Sequence, residues 1–178
     1  DQMKEKFGRV RLSTSTIPYG AKFGVSEEVT TLGDYIDAFP AMRRAANESA
    51  VDPTYIFDTK AMVDTHFREA AEDVEVPPPF LRSDAFKDIV MEGAIVRQFY
   101  LGPAYSGAPV HFHSDAWNVL AFGLKRWSLF PPSKSFYSKI PAYRFFREHL
   151  AEYEPLECMQ YPGDVVYVPL HWGHAVLN

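Results

Sequence analysis

Residues 107–130 constrain this chain more than any other stretch. Within them His111 and His113 alternate with Val110 and Phe112. Side chains on a strand alternate faces with a period of two. The pattern therefore predicts a strand that turns Val110 and Phe112 into packing and sets both imidazoles side by side on the other face. Two imidazoles held that way can share one metal ion, and Asp115 joins their face if the strand runs on. Asn118 and Lys125 lie further along, either side of a turn at Gly123. That turn joins apolar strands predicted over 118–121 and 126–130.

The remaining chain reads as support for this stretch. A strand is predicted over 9–14, with Val10 and Leu12 on one face. Residues 17–24 are irregular, punctuated by Pro18, Gly20 and Gly24. Thr31 caps a helix whose Leu32, Tyr35, Ile36 and Phe39 form one apolar stripe, with Asp34 in the first turn and Pro40 as its stop. A second amphipathic turn covers 42–49. A short strand is predicted at 54–57, a helix at 64–72 holding His66, an extended segment at 76–80, a short helix or turn at 83–90 and a strand at 94–101. After 131–132 comes a helix over 138–153, with Tyr143, Phe146 and Leu150 on its buried face. Strands then follow at 156–160 and 164–168, and another starts at His174. His66 and His149 read as structural histidines. No repeat, linker or low-complexity tract divides the chain, so residues 1–178 are expected to form one domain. Residues 1–93 give helical support and the first strands, and 94–178 give the β-barrel that carries the site.

Composition narrows the class. With 178 residues, 47% of them hydrophobic, the chain can bury one ordinary core. Aromatics at 15% favour a β-rich core. A net charge of −5 argues against a general nucleic-acid binder, which needs a basic face. No apolar run is long enough to span a bilayer. The lone Cys158 excludes an intrachain disulfide and a cysteine-based zinc pattern, and reads as a small apolar strand residue.

A third histidine completes the candidate site. Gly163 and Pro169 bracket a five-residue strand, and His174 and Asn178 follow. Glycine and proline set the turns at each end of that strand and so fix where His174 emerges. In a double-stranded β-helix the chain would there return beside the strand of His111. A His-x-His pair alone is a weak signal, because buried histidines satisfied by backbone groups are common. Joined to the Gly-Pro-His-Asn tail it becomes a sharper one. His171 sits in the turn itself and is read as flanking the mouth rather than as a ligand.

The tail matches the second cupin motif, with His171 where that motif usually has glycine. Together with Tyr55-Ile56-Phe57-Asp58, Val76-Pro77, Ala116-Trp117-Asn118, Lys125-Arg126-Trp127, Leu129-Phe130-Pro131 and Val168-Pro169, it resembles the JmjC (jumonji-C) oxygenases of the cupin superfamily, and within them the small hydroxylase type. The resemblance runs over nearly the whole chain. It implies a mainly β fold with flanking helices, the double-stranded β-helix or cupin/JmjC jelly-roll barrel. It implies Fe(II), 2-oxoglutarate and O₂ as the reacting set, yielding a hydroxylated side chain, succinate and CO₂. By position, His111 is the first metal ligand and His174 the distal one. Lys125 matches the lysine that pairs with the far carboxylate of 2-oxoglutarate, Asn118 a pocket asparagine, and Asn178 lines the same cavity. Without the resemblance Lys125 would read as a solvated turn lysine.

Two positions depart from the family pattern. His113 stands where the enzymes carry a carboxylate, and Ala108 where they often carry a threonine. Shifting the frame to His113-Ser114-Asp115 would restore a His-x-Asp triplet. The intervals from Gly107 to His111 and from His111 to Gly123 favour the unshifted frame. The expected site is therefore His111, His113 and His174, with Asp115 as fallback ligand or supporting partner. Such a donor set makes zinc or another divalent metal more competitive with iron. Three functions compete: a JmjC-type protein side-chain hydroxylase, a catalytically degenerate fold that binds partner proteins, and, well behind, a zinc hydrolase or lyase with Asp115 or Glu157 as base. The expected partner is a protein or peptide, with no nucleic acid. The nearest family members imply the endoplasmic reticulum lumen or secretory route, with which the Asn47-Glu48-Ser49 sequon is compatible. Cytoplasm or nucleus is the alternative. Family barrels run on past the distal histidine motif, so the last strand is expected to be truncated at Asn178.

Overall fold

The structure is a computed structural model, and it describes residues 2–58 and 98–178. The elements predicted at 64–72, 76–80 and 83–90, with His66, lie outside the described residues. So does the first half of the strand predicted at 94–101.

At the front, helix α1 (Gln2–Phe7) precedes strands β1 (Arg11–Ser15) and β2 (Glu28–Thr31), then α2 (Leu32–Asp37), α3 (Phe39–Ser49), β3 (Tyr55–Asp58) and β4 (Phe99–Leu101). The strands form one antiparallel sheet in the order β2-β1-β3-β4. Thr31 caps α2 as its sequence predicts: its Oγ1 accepts from the Asp34 N–H at 3.2 Å. Pro40 does not stop that helix. The chain breaks at Ala38, and Pro40 sits in the first turn of α3, where a missing N–H costs nothing. Neither α1 nor β2 is predicted from sequence. The four residues of β2 are half-buried or exposed, so they carry no apolar alternation. Phe7, Leu12, Leu32, Tyr35 and Ile56 pack as the front core.

The back half forms the double-stranded β-helix. Strands β5 (Gly107–His111), β6 (Ala116–Val119), β7 (Lys125–Phe130), β8 (Leu156–Gln160), β9 (Val165–Val168) and β10 (Gly173–Leu177) divide between two sheets. One has the order β5-β10-β7-β8 and the other pairs β6 with β9. The turn at Gly123 (φ 86°) therefore does not close a hairpin: it carries the chain from one sheet to the other. Trp127 and Val176 of the first sheet meet Val168 of the second, with Val166 and Leu129 packed alongside. On the opposite face of the first sheet, Val110, Phe130 and Ala175 pack against Phe145, Phe146 and Leu150. Those last three lie on a helical segment opened by α4 (Ala142–Arg144), which widens over Phe145–His149 and tightens over Leu150–Glu152. It is shorter than predicted, and Phe145 rather than Tyr143 is fully buried in its packed face.

Candidate metal centre

The site begins with a register. In the antiparallel pair β5–β10, His111 lies directly opposite His174. Cross-strand partners bring their Cβ atoms to roughly 5 Å, and here the two rings lie 4.2 Å apart, centre to centre. The same pairing then slips. His174 faces His111 and Val176 faces Ala108, so three steps on β5 oppose two on β10. The extra residue is a β-bulge at Pro109 and Val110. Proline suits it, having no N–H to leave unpaired. The bulge lets Ala108 and His111 face one cavity although a regular strand would point them apart. Gly107 begins this strand because a Cβ there would lie 1.9 Å from the Val176 carbonyl oxygen.

β5 ends at His111, so His113 is not on the strand as the alternation predicts. It reaches the site from the chain just beyond. Its ring lies 5.4 Å from His111 and 4.7 Å from His174. The candidate ligand atoms of the three histidines all fall within 4.8 Å of one another. Each Nδ1 lies on a backbone carbonyl: His111 on Pro109 at 2.9 Å, His113 on Ser114 at 2.6 Å, His174 on Trp172 at 3.2 Å. A carbonyl only accepts, so each ring carries a proton on Nδ1, and the neutral form of each presents its lone pair at Nε2. Burial, then the neighbouring His174, pushes His111 well below the usual histidine range. Burial, then His113, pushes His174 down to about 4. Both are therefore neutral bases near neutral pH, the form a metal requires. The donor set fits a divalent ion that accepts imidazole nitrogen.

Asp115 does not belong to this cluster. Its Oδ1 accepts from the Tyr167 hydroxyl and from the Leu170 N–H at 3.0 Å, which ties β6 to the turn after β9. Glu157 is spent on an exposed pair with Arg126 at 2.8 Å. Neither carboxylate is among the described residues lining the cavity, so neither serves the zinc hydrolase reading as a base. His171 is exposed and also stands outside the lining. His149 packs on Phe145 and meets Glu152, a structural role.

The three histidines open into one cavity. Lys125, Asn118, Ala108, Tyr55, Phe57, Tyr100, Trp127, Val168 and Val176 help line it. Lys125 is no solvated turn lysine: it is buried, with 6% of its surface exposed. It donates to the Tyr55 hydroxyl at 2.8 Å and to Asn178 Oδ1 at 2.7 Å. Both acceptors are neutral, and burial lowers its pKa to about 8. A buried ammonium with neutral partners favours an anion beside it. Asn118 Oδ1 is also buried and lacks a hydrogen-bond partner among the described residues. Turning that amide would offer its N–H₂ to a carboxylate. Asn178 steadies the lysine, and its Nδ2 donates to Ser106 Oγ at 3.0 Å. Sequence reasoning missed Tyr55 as a site residue. Its segment reads as a short apolar strand, and only the fold brings it to Lys125.

No family model matches the chain. Curated relatives do. The arginine demethylase and lysyl-hydroxylase psr-1 of Caenorhabditis briggsae is 31% identical over 71% of this chain and 38% of its own length. The human protein described as the 2-oxoglutarate and iron-dependent oxygenase JMJD4 is 30% identical over 85% of this chain and 40% of its own. This chain belongs to the JmjC family. Human JmjC domain-containing protein 8 is 32% identical over 57% of this JmjC chain and 38% of its own length. The chain thus spans about two-fifths of the curated relatives it matches here.

Proposed function

We propose that this JmjC domain is an Fe(II)- and 2-oxoglutarate-dependent oxygenase that hydroxylates a side chain of a protein or peptide. The observation that carries this reading is the meeting, in one cavity, of three metal-ready imidazoles and a buried ammonium with neutral partners. Relatives named as a 2-oxoglutarate and iron-dependent oxygenase and as a lysyl-hydroxylase support it. Bound iron with 2-oxoglutarate and O₂ would supply the oxidising chemistry. The chain's own residues do the rest. His111, His113 and His174 would hold the metal through Nε2. Lys125 and the Tyr55 hydroxyl would hold and orient a carboxylate, a task for which a compact ammonium with three donors is suited. Trp127, Val168 and Val176 give the cavity an apolar wall.

His113 and Ala108 favour a second reading, a fold that keeps partner binding without turnover. Three neutral imidazoles leave a divalent ion with its full charge of +2, where one carboxylate would leave +1. That strengthens an anion's hold but removes a hard oxygen donor and favours zinc. Ala108 offers no hydroxyl to the cavity.

The deciding experiment is the metal content of protein purified without chelator, with anaerobic 2-oxoglutarate affinity, in wild type and His113→Asp. Iron with micromolar 2-oxoglutarate affinity in the wild type is expected. A folded wild type that binds neither would overturn the oxygenase reading. If only His113→Asp binds both, the barrel is competent and residue 113 alone accounts for the loss. An endoplasmic reticulum address is part of the same proposal, and the exposed sequon at Asn47 supports it. A glycosidase-sensitive mass shift that disappears in Asn47→Gln tests it.

A further inference from the structure

Tyr19 lies far from the metal cluster in sequence and belongs to no motif. It follows Pro18 and opens the short turn Gly20–Phe23. Its ring packs on the His111 imidazole, 4.9 Å centre to centre. Its hydroxyl lies 2.8 Å from the Pro109 carbonyl oxygen and 2.8 Å from that of Val110. Those are the two carbonyls of the β5 bulge. The first also accepts His111 Nδ1–H, and the second also accepts the Ser138 N–H at 2.8 Å. A bulged residue is left out of the ladder, so its carbonyl direction depends on partners from outside the sheet. Here that direction decides where His111 aims, because the Pro109 carbonyl sets both the ring's tautomer and its rotation. Phe23 and Tyr137 hold the Tyr19 ring edge-on at 6.2 and 5.5 Å.

We propose that Tyr19 is a positioning residue for the metal centre: its hydroxyl fixes the bulge carbonyls of Pro109 and Val110, and through them the orientation and tautomer of His111. The assignment rests on the reading of His111 as a metal ligand. It makes the N-terminal segment part of the site, although it contributes no ligand.

The test compares wild type, Tyr19→Phe and Tyr35→Phe. Tyr19→Phe keeps the ring on His111 and removes only the hydroxyl. Tyr35→Phe removes an equally well-bonded hydroxyl, 2.7 Å from the Thr54 carbonyl, in the front core and outside the cavity lining. Two quantities are measured near neutral pH. The first is the His111 tautomer in metal-free protein, by long-range ¹H–¹⁵N correlation. The second is Co(II) affinity, with the visible spectrum of the bound ion. Wild type and Tyr35→Phe are expected to show a single Nδ1–H tautomer and matching affinity. Tyr19→Phe is expected to show mixed tautomers, Co(II) binding weaker by about tenfold and a shifted spectrum. A Tyr19→Phe protein that keeps the single tautomer overturns the proposal, whatever its affinity. Mixed tautomers with unchanged Co(II) affinity, or an equal loss in Tyr35→Phe, overturn it too. If wild type takes up no Co(II), the metal reading falls instead, and the tautomer measurement still decides whether Tyr19 sets the ring.

Discussion

Lys125 is a residue whose chemistry the fold changes. Burial brings its pKa from 10.5 down to about 8. Between those values the unfolded chain binds the proton and the folded one does not, so folding stability rises with pH across that window. The ammonium is the form that holds a carboxylate. Affinity for 2-oxoglutarate should therefore be flat below about pH 8 and fall toward tenfold per unit above it. Lys125→Met should lose both the affinity and its pH dependence. Calorimetric titration across pH checks this, and a flat wild-type profile well above pH 8 would contradict it. His171 carries a different burden. It holds φ 63° without being glycine, while its N–H bonds the His113 carbonyl at 3.0 Å. A left-handed backbone costs a non-glycine residue about 1–2 kcal/mol. His171→Gly keeps the N–H and should raise stability by about 1 kcal/mol, read from a denaturant midpoint. An unchanged midpoint would mean that the side chain repays the strain.

At the scale of elements, Gln160 ties the two sheets together. It ends β8 fully buried. Its Oε1 accepts from Trp127 Nε1 at 2.9 Å, and its Nε2 donates to the Asn118 carbonyl at 2.9 Å and to the Asp164 carbonyl at 3.1 Å. One amide so fixes an aromatic wall of the cavity on β7 and the backbone of β6 beside Asn118. Gln160→Leu keeps the bulk but takes the acceptor from the buried Trp127 indole N–H and one donor each from the Asn118 and Asp164 carbonyls, the second of which keeps the Leu120 N–H at 3.2 Å. A loss of about 1–3 kcal/mol is expected, the cost of one stranded buried donor. Chemical denaturation measures it, and a loss under about 1 kcal/mol would show that the sheets hold together without the tie. The first four residues of β8 are exposed, so no alternation marks its buried last residue.

For the whole molecule, the proposed metal centre would join folding to ligand binding. A ligand that binds only the folded state stabilises it by about 2.7 kcal/mol at a concentration of 100 Kd. Adding Co(II) or Zn(II) should raise the melting temperature, and a chelator should reverse the rise. No shift at saturating metal would count against the site. The apo protein should also lose stability in acid. His174 is depressed from 6.5 to about 4, so between those values the unfolded chain binds more protons. The contribution is complete above about pH 6.5 and is lost as pH falls toward about 4. His174→Gln should flatten that slope in melts across pH. Among the described residues no helix is long and apolar enough to cross a membrane.

The sequence by itself determined what is local. Alternation around Val110 and the punctuation at Gly163 and Pro169 specify strands and turns, and Thr31 with Asp34 specifies a helix start, because these are contests among near neighbours in the chain. The JmjC resemblance was legible on the same short motifs, and with it the three histidines. Only the tertiary structure decided which strands pair: that β7 leaves the Gly123 turn for the other sheet, and that His111 meets His174 across β5 and β10. It turned Asp115 to the turn after β9 and away from the metal cluster, brought Tyr55 to Lys125, and set Tyr19 on the bulge. These contacts join residues from 52 to 91 positions apart. Such contacts depend on register and burial, which arise when the sheets pack and leave no period in the chain to read.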